Sequence, residues 1–211
     1  MRRLWGRANS VNVQKALWGL DESGLAYERV EAGGAHGVVS DPAYRAMNPN
    51  GLVPVLQEDD FALWESNAIL RYLADGAEGT LRLPDDRRER AQVQQWLDWQ
   101  ATSFTPAMRD AFWQLYRAAP DARDHALIAS SLERSEVLAA ILDRHLADRT
   151  FVVGTRFSIA DIALGCAAHR WLALPAERVE RPRSGAGTRR WRSGPPPPGS
   201  SPRRSADAGT S

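Results

Sequence analysis

The sequence contains one cysteine, one lysine and no run of 18 consecutive apolar residues. A lone cysteine, Cys166, excludes an internal disulfide and any multi-cysteine metal site. The basic start Met1-Arg2-Arg3 is followed by Leu4-Trp5-Gly6 and not by an apolar stretch, so neither a signal peptide nor a membrane span is expected. His145 and His169 stand alone without ligand spacing, and no metal is expected. Charge of one sign is also missing overall, since the 211 residues sum to +1. That balance hides an asymmetry. Residues 176–211 carry eight arginines against Glu177, Glu180 and Asp207, which leaves −4 on the preceding 175 residues. An acidic body gives no reason to expect nucleic-acid binding. What remains is an ordinary globular composition, 43% hydrophobic and 25% charged, with the cytoplasm as the expected location.

The pattern changes character once along the chain. Leu4-Trp5-Gly6 reads as a short strand segment closed by a turn through Ser10. Val13, Ala16, Leu17 and Leu20 then recur at helical spacing up to Gly24. Residues 25–30 alternate as a strand, Gly33 to Gly37 form a loop, and Pro42 to Met47 hold a helical turn. After the turn Asn48-Pro49-Asn50-Gly51, Val53-Pro54-Val55-Leu56 and Phe61-Ala62-Leu63-Trp64 read as a strand hairpin around Asp59-Asp60. Ser66 opens a helix with Ile69, Leu70 and Leu73 on its apolar face. This order implies a small mixed α/β layer over residues 1–76. Gly76, Gly79 and Pro84 mark a linker at 77–86. Helical patterns then cover about 87–104, 107–118, 124–147 and 158–173, an all-α bundle within 87–175. Ser158 with Asp161 forms a capping box at the last of these, and Phe157 with Ile162 can staple it. Trp96, Trp99, Phe112, Trp113 and Tyr116 read as core or cleft wall, and Cys166 as a buried, inert thiol. From residue 176 onward, six prolines, five glycines and eight arginines accompany few large apolar residues, so disorder is expected.

Three features of the first half carry chemistry. Pro54 cannot donate to a sheet ladder, so the Val53 backbone is free to pair with an extended peptide; taken alone, it reads as an edge-strand proline. Ser66 caps a helix whose first amides can hold a carboxylate, and Glu65 beside it can hold an ammonium group, together matching an α-amino acid terminus. Ser10, just before the first helix, can hydrogen-bond a ligand thiolate near the helix's positive end, with the Asn12 amide two residues on; taken alone, it is an N-cap.

Together these segments resemble the cytosolic glutathione transferases, specifically the serine-using bacterial group near the theta and delta classes. The resemblance runs over residues 4–175. It rests on Leu4 to Ser10 with Asn12 to Lys15, on Asn48 to Leu56, on Leu63 to Leu73, and on Phe157 to Ala163. It implies a thioredoxin-like N-terminal domain and an all-α helical-bundle C-terminal domain. It also implies glutathione as co-substrate, a small electrophile as second substrate, and a homodimer. Ser10 with Asn12 would stabilise the thiolate, and Val53 with a cis Pro54 would pair with the cysteinyl part. Glu65 and Ser66 would hold the γ-glutamyl end, and His36 lies near the glycine end. Asp161 would maintain its helix start. Leu52 departs from the polar residue common at its position.

In the family the chain continues past Pro175 into further helices. An Arg/Pro/Gly/Ser run stands here instead, and 26 arginines against one lysine suggest a GC-rich gene. The expectation is a frameshift near 176–182, leaving a less stable chain. A purposeful basic tail is the rival, and a non-catalytic glutathione-binding protein of the same fold is the rival to the enzyme.

Overall fold

A computed structural model describes residues 1–76 and 81–176 of the chain. The expected linker at 77–86 is therefore described only from residue 81, and the expected tail lies, apart from Ala176, outside the described residues.

The first half is built on a four-stranded sheet in the order β2-β1-β3-β4. Strands β1 (Arg2–Trp5) and β2 (Glu28–Val30) are parallel, while β3 (Val55–Glu58) pairs antiparallel with both β1 and β4 (Phe61–Trp64). The parallel pair needs a crossover, which is helix α1 (Val11–Ser23). Gly24 ends α1 at φ 68°, a left-handed conformation that suits glycine, and returns its amide to the Asp21 carbonyl. The chain start is thus an interior strand, flanked on both sides, and the second strand is half the length its alternation suggests.

Leu4 and Leu56 face each other across β1 and β3, both fully buried. Helices α1 and α3 (Ser66–Asp75) cover that face. They approach closely because Gly19 has no side chain; a Cβ there would stand 2.7 Å from Leu70. The other face is covered by α2 (Pro42–Met47), whose Tyr44 ring meets Trp5 edge-on at 6.0 Å.

The second half is all helix: α4 (Arg87–Trp99), α5 (Thr105–Tyr116), α6 (His125–Leu146) and α7 (Ile159–Ala173). Helices α4 and α5 do not separate at Pro106, as the sequence suggests. A π-helical segment, Gln100–Phe104, joins them. Its wider turn sits where Pro106 lacks an amide to donate, so the rod continues with one bond omitted. Helix α7 is apolar around most of its circumference, and every residue from Ile159 to Ala168 is buried. It packs against α1, α3 and α4, and one hydrophobic core runs from Leu4 through α7 to Leu174. Cys166 lies within it, its thiol pushed up to about 12 by burial. The two halves share one interior.

Candidate functional site

Strand register brings the loop after β1, the loop before β3 and the start of α3 to one end of the sheet, where Trp5, Val55 and Trp64 pair; of these the loop after β1 lines the cleft facing the helical half. Ser10 is the N-cap residue of α1, with extended backbone at φ −88° and ψ 125°. Its carbonyl accepts the first helical bond from Gln14 at 2.9 Å, but its hydroxyl makes no capping bond. Ser10 is half-buried, and among the described residues its hydroxyl is left uncapped at the positive end of a 13-residue helix. Asn12 follows in the first turn, also half-buried.

The Val53–Pro54 bond is cis, and β3 pairs with its neighbours only from Val55 onward. The approach to it is pinned from below: Tyr44 Oη and Asn48 Nδ2 donate to the Leu52 carbonyl at 2.7 and 2.8 Å. Burial pushes the Tyr44 phenol up to about 12, so it remains a donor at any ordinary pH. The Leu52 side chain is exposed, and the residue acts through its carbonyl.

At α3 the structure shifts the expected roles by one residue. Glu65, not Ser66, is the N-cap, held at φ 68°; Ser66 is the first helical residue and is buried. A positive φ is unfavourable for glutamate, and it coincides with an exposed carboxylate placed beside the free amides of the helix start. Ser66 is followed by Asn67, part of a network that no sequence motif marks. The buried Lys15 donates to Asn67 Oδ1 at 2.8 Å and to Gln100 Oε1 at 3.0 Å, and Asn67 donates to the Leu97 carbonyl at 2.9 Å. Residues from α1, α3, α4 and the π segment are thereby tied together. Among the described residues no carboxylate bonds the ammonium directly, and burial lowers its pKa to about 8, with the Cys166 thiol and Glu65 opposing the fall.

His36 stands at the end of a short 3₁₀ turn, Gly34–His36, exposed and 3.4 Å from Glu31. Ser158 and Asp161 form the expected capping box at α7, far from these loops in the chain. The buried Asp161 carboxylate accepts from the Val152 amide at 2.8 Å, the Ser158 amide at 2.9 Å and the Ser158 hydroxyl at 3.0 Å. Gly154, at φ 61°, provides the left-handed turn in the preceding loop. The Phe157 ring meets Trp18 at 5.8 Å and Phe151 at 6.3 Å, joining α7 to the first half.

Between the halves lies a cleft of about 150 Å³, reached by Ser10 and Val11 on one side and by Thr105, Met108 and Phe112 on the other. Phe112 is a cleft wall, as expected. Trp113 and Tyr116 are not: both are largely exposed, and the Tyr116 hydroxyl donates to the Ala173 carbonyl. Arg170 donates to the Asn9 carbonyl at 2.8 Å across the cleft, and its guanidinium lies 4.3 Å from the centre of the Phe112 ring. Sequence reasoning missed Arg7, Arg117 and Arg170 here, because isolated arginines in an arginine-rich chain carry no spacing signal.

Residues 4–80 match the family model for the glutathione S-transferase N-terminal domain, and residues 126–197 match that for the C-terminal domain. The chain belongs to the glutathione S-transferase family. It is 44% identical over 167 residues to glutathione S-transferase GstB of Escherichia coli, covering 78% of this chain and 80% of that one. It is 33% identical over 168 residues to glutathione S-transferase 1 of Schizosaccharomyces pombe, covering 76% and 71%. A theta-class glutathione S-transferase from Xanthomonas axonopodis pv. citri, solved with glutathione bound, superposes with a TM-score of 0.82 at 44% identity, over 91% of this chain and 90% of that one. The thioredoxin-like first half and helical second half are the family's fold, and the family's transferase chemistry applies to this chain.

Proposed function

We propose that Ser10 holds the thiol of glutathione as a thiolate, which then attacks small electrophiles admitted to the cleft between the halves. The observation that carries this reading is the unspent Ser10 hydroxyl at the start of α1, on the wall of that cleft. A hydroxyl donor and the positive helix end both favour the ionised thiol over the neutral one. Asn12 offers a second amide donor in the first turn.

The tripeptide runs as an added strand along Val53, whose backbone precedes the sheet ladder. Its γ-glutamyl end meets the start of α3, where the helical amides and buried Ser66 suit the carboxylate and Glu65 suits the ammonium group. His36 stands near the glycine end. In the reaction the sulfur–carbon bond forms as the leaving group departs with its electron pair, or as a conjugated double bond takes up the pair; the thiol proton passes to solvent. The protein's part is orientation and ionisation.

The working form is a homodimer located in the cytoplasm. Large apolar side chains left at the surface, Leu52 and Phe61 in the first half and Val137 on α6, support self-association. Residues 1–76 act as the glutathione domain, 77–86 as the linker and 87–175 as the helical domain. The test is retention of the full chain on immobilised glutathione, followed by conjugation of 1-chloro-2,4-dinitrobenzene. Retention with turnover is the expected result; retention without turnover would remove the catalytic claim, and a folded chain that is not retained would remove the site.

A further inference from the structure

Among the described residues the cleft beside Ser10 is lined by four arginines, Arg7, Arg109, Arg117 and Arg170, and by no acidic side chain. Among the described residues only Arg109 of the four pairs with a carboxylate, Asp110 at 3.3 Å, which also meets Arg134 at 3.5 Å. Among the described residues, Arg7, Arg117 and Arg170 are within ion-pair distance of no carboxylate. Gathering like charges around a partly enclosed pocket is unfavourable unless a counter-charge enters it. At Arg170 burial lowers the pKa; Tyr116 and the Cys166 thiol oppose the fall, and the Arg117 and Arg7 charges add to it.

The arginines divide between the two walls. Arg7 packs against Gly33 and Gly34, which also neighbour Val53 on the glutathione side, and its buried Nε has no partner among the described residues. Arg117 follows α5 and Arg170 sits near the end of α7, on the opposite wall. Arg170 is held there by Phe112 beneath its plane and by the Asn9 carbonyl on one nitrogen. A guanidinium has five N–H donors, so most of those on Arg170 remain for a ligand, and its fork matches a planar anion. The walls between the charges are apolar, Met108 and Phe112, and suit an aromatic or alkyl body.

Resting on the transferase reading above, we propose that the electrophile accepted by this cleft carries an anionic group, a carboxylate or sulfonate, bound by Arg117 and Arg170, so that acidic electrophiles are selected over neutral ones of the same shape. Arg109 at the rim adds to the attraction.

The experiment compares 4-fluoro-3-nitrobenzoate with 4-fluoro-3-nitrobenzamide on the full chain. In both, the thiolate sulfur bonds to the fluorine-bearing carbon, the ring holds the electron pair against its nitro group, and fluoride leaves with the pair of the broken bond. The readout is the ratio of kcat/KM values, acid over amide, after each is divided by its uncatalysed rate. The expected ratio is about tenfold or more in the unmodified protein, the size of one charge-assisted hydrogen-bond pairing. Arg170→Gln and Arg117→Gln should each lower it several-fold, and the double variant should bring it to about one. Because it is a ratio on one enzyme, general damage to folding or to glutathione binding leaves it unmoved. Should Arg170→Gln fail to fold, Arg117→Gln, at an exposed position, carries the test. A ratio near one in the unmodified protein, or one that neither substitution moves, overturns the proposal. Turnover of neither substrate overturns the transferase reading and this inference with it.

Discussion

One carboxylate, Asp161, terminates three donors at the entrance to the most buried helix of the molecule. Two of them are backbone amides that would otherwise be buried without partners, so Asp161→Ala should cost about 2–4 kcal/mol, read by urea denaturation. Burial raises the pKa of Asp161 to about 6 from 3.8, against the pull of its hydrogen bonds to Val152 and Ser158. The folded state therefore holds this proton more tightly than the unfolded one. The group's contribution is fullest below pH 4 and is lost as the pH rises to about 6. Asp161→Asn should flatten that part of the stability–pH curve; an unchanged slope would assign it elsewhere. Single residues of this kind are the most legible part of the sequence, because a cap or a turn is a local rule. Ser158 with Asp161, and Gly24, follow from their neighbours alone. Glu65 shows the limit. The helix start is legible to one residue, but the positive φ that makes Glu65 the cap depends on how β4 delivers the chain to α3.

Elements are legible where periodicity is long and blurred where the chain overrides it. The four helical patterns of the second half correspond to α4 through α7. Pro106 reads as an interruption, yet the rod passes through it on a π turn, since the lost amide is absorbed by a wider turn and the flanking residues remain packed. The Lys15 network is invisible for a different reason: its members lie on four elements and share no spacing. It also supplies a test. Burial lowers the Lys15 pKa from 10.5 to about 8, so the unfolded chain binds the proton more tightly. Stability is then greatest above pH 10.5 and falls as the pH drops toward 8, a difference of about 3 kcal/mol. The Cys166 thiol, raised from 9.0 to about 12, acts in the opposite sense above pH 9. The clean window is pH 8–9, where stability should rise by about 1 kcal/mol in the parent chain and stay level in Lys15→Met.

At the scale of the whole molecule, the two halves differ in composition of elements but not in core. Residues from Leu4 to Leu174 form one hydrophobic cluster, and α7 touches both α1 and α3. A shared interior predicts one cooperative unfolding transition, with far-ultraviolet circular dichroism and tryptophan fluorescence superimposing; two separated transitions would mean that the halves fold independently. Light scattering after size exclusion should give about twice the 23.3 kDa chain mass. The two-part architecture is legible because strand signals stop near residue 75. The arginine-lined cleft is not, because it exists only once α5 and α7 are brought to Ser10.

In the proposed reaction everything depends on Ser10 ionising a bound thiol. That ionisation is tested most directly by titrating glutathione bound to the full chain, following thiolate absorbance near 240 nm, in the parent protein and in Ser10→Ala. The expected thiol pKa is well below about 8.5 in the parent and returns toward that value in the variant. Conjugation should fall about a hundredfold or more while glutathione affinity changes little. A bound thiol that titrates identically in both proteins would contradict that role of Ser10.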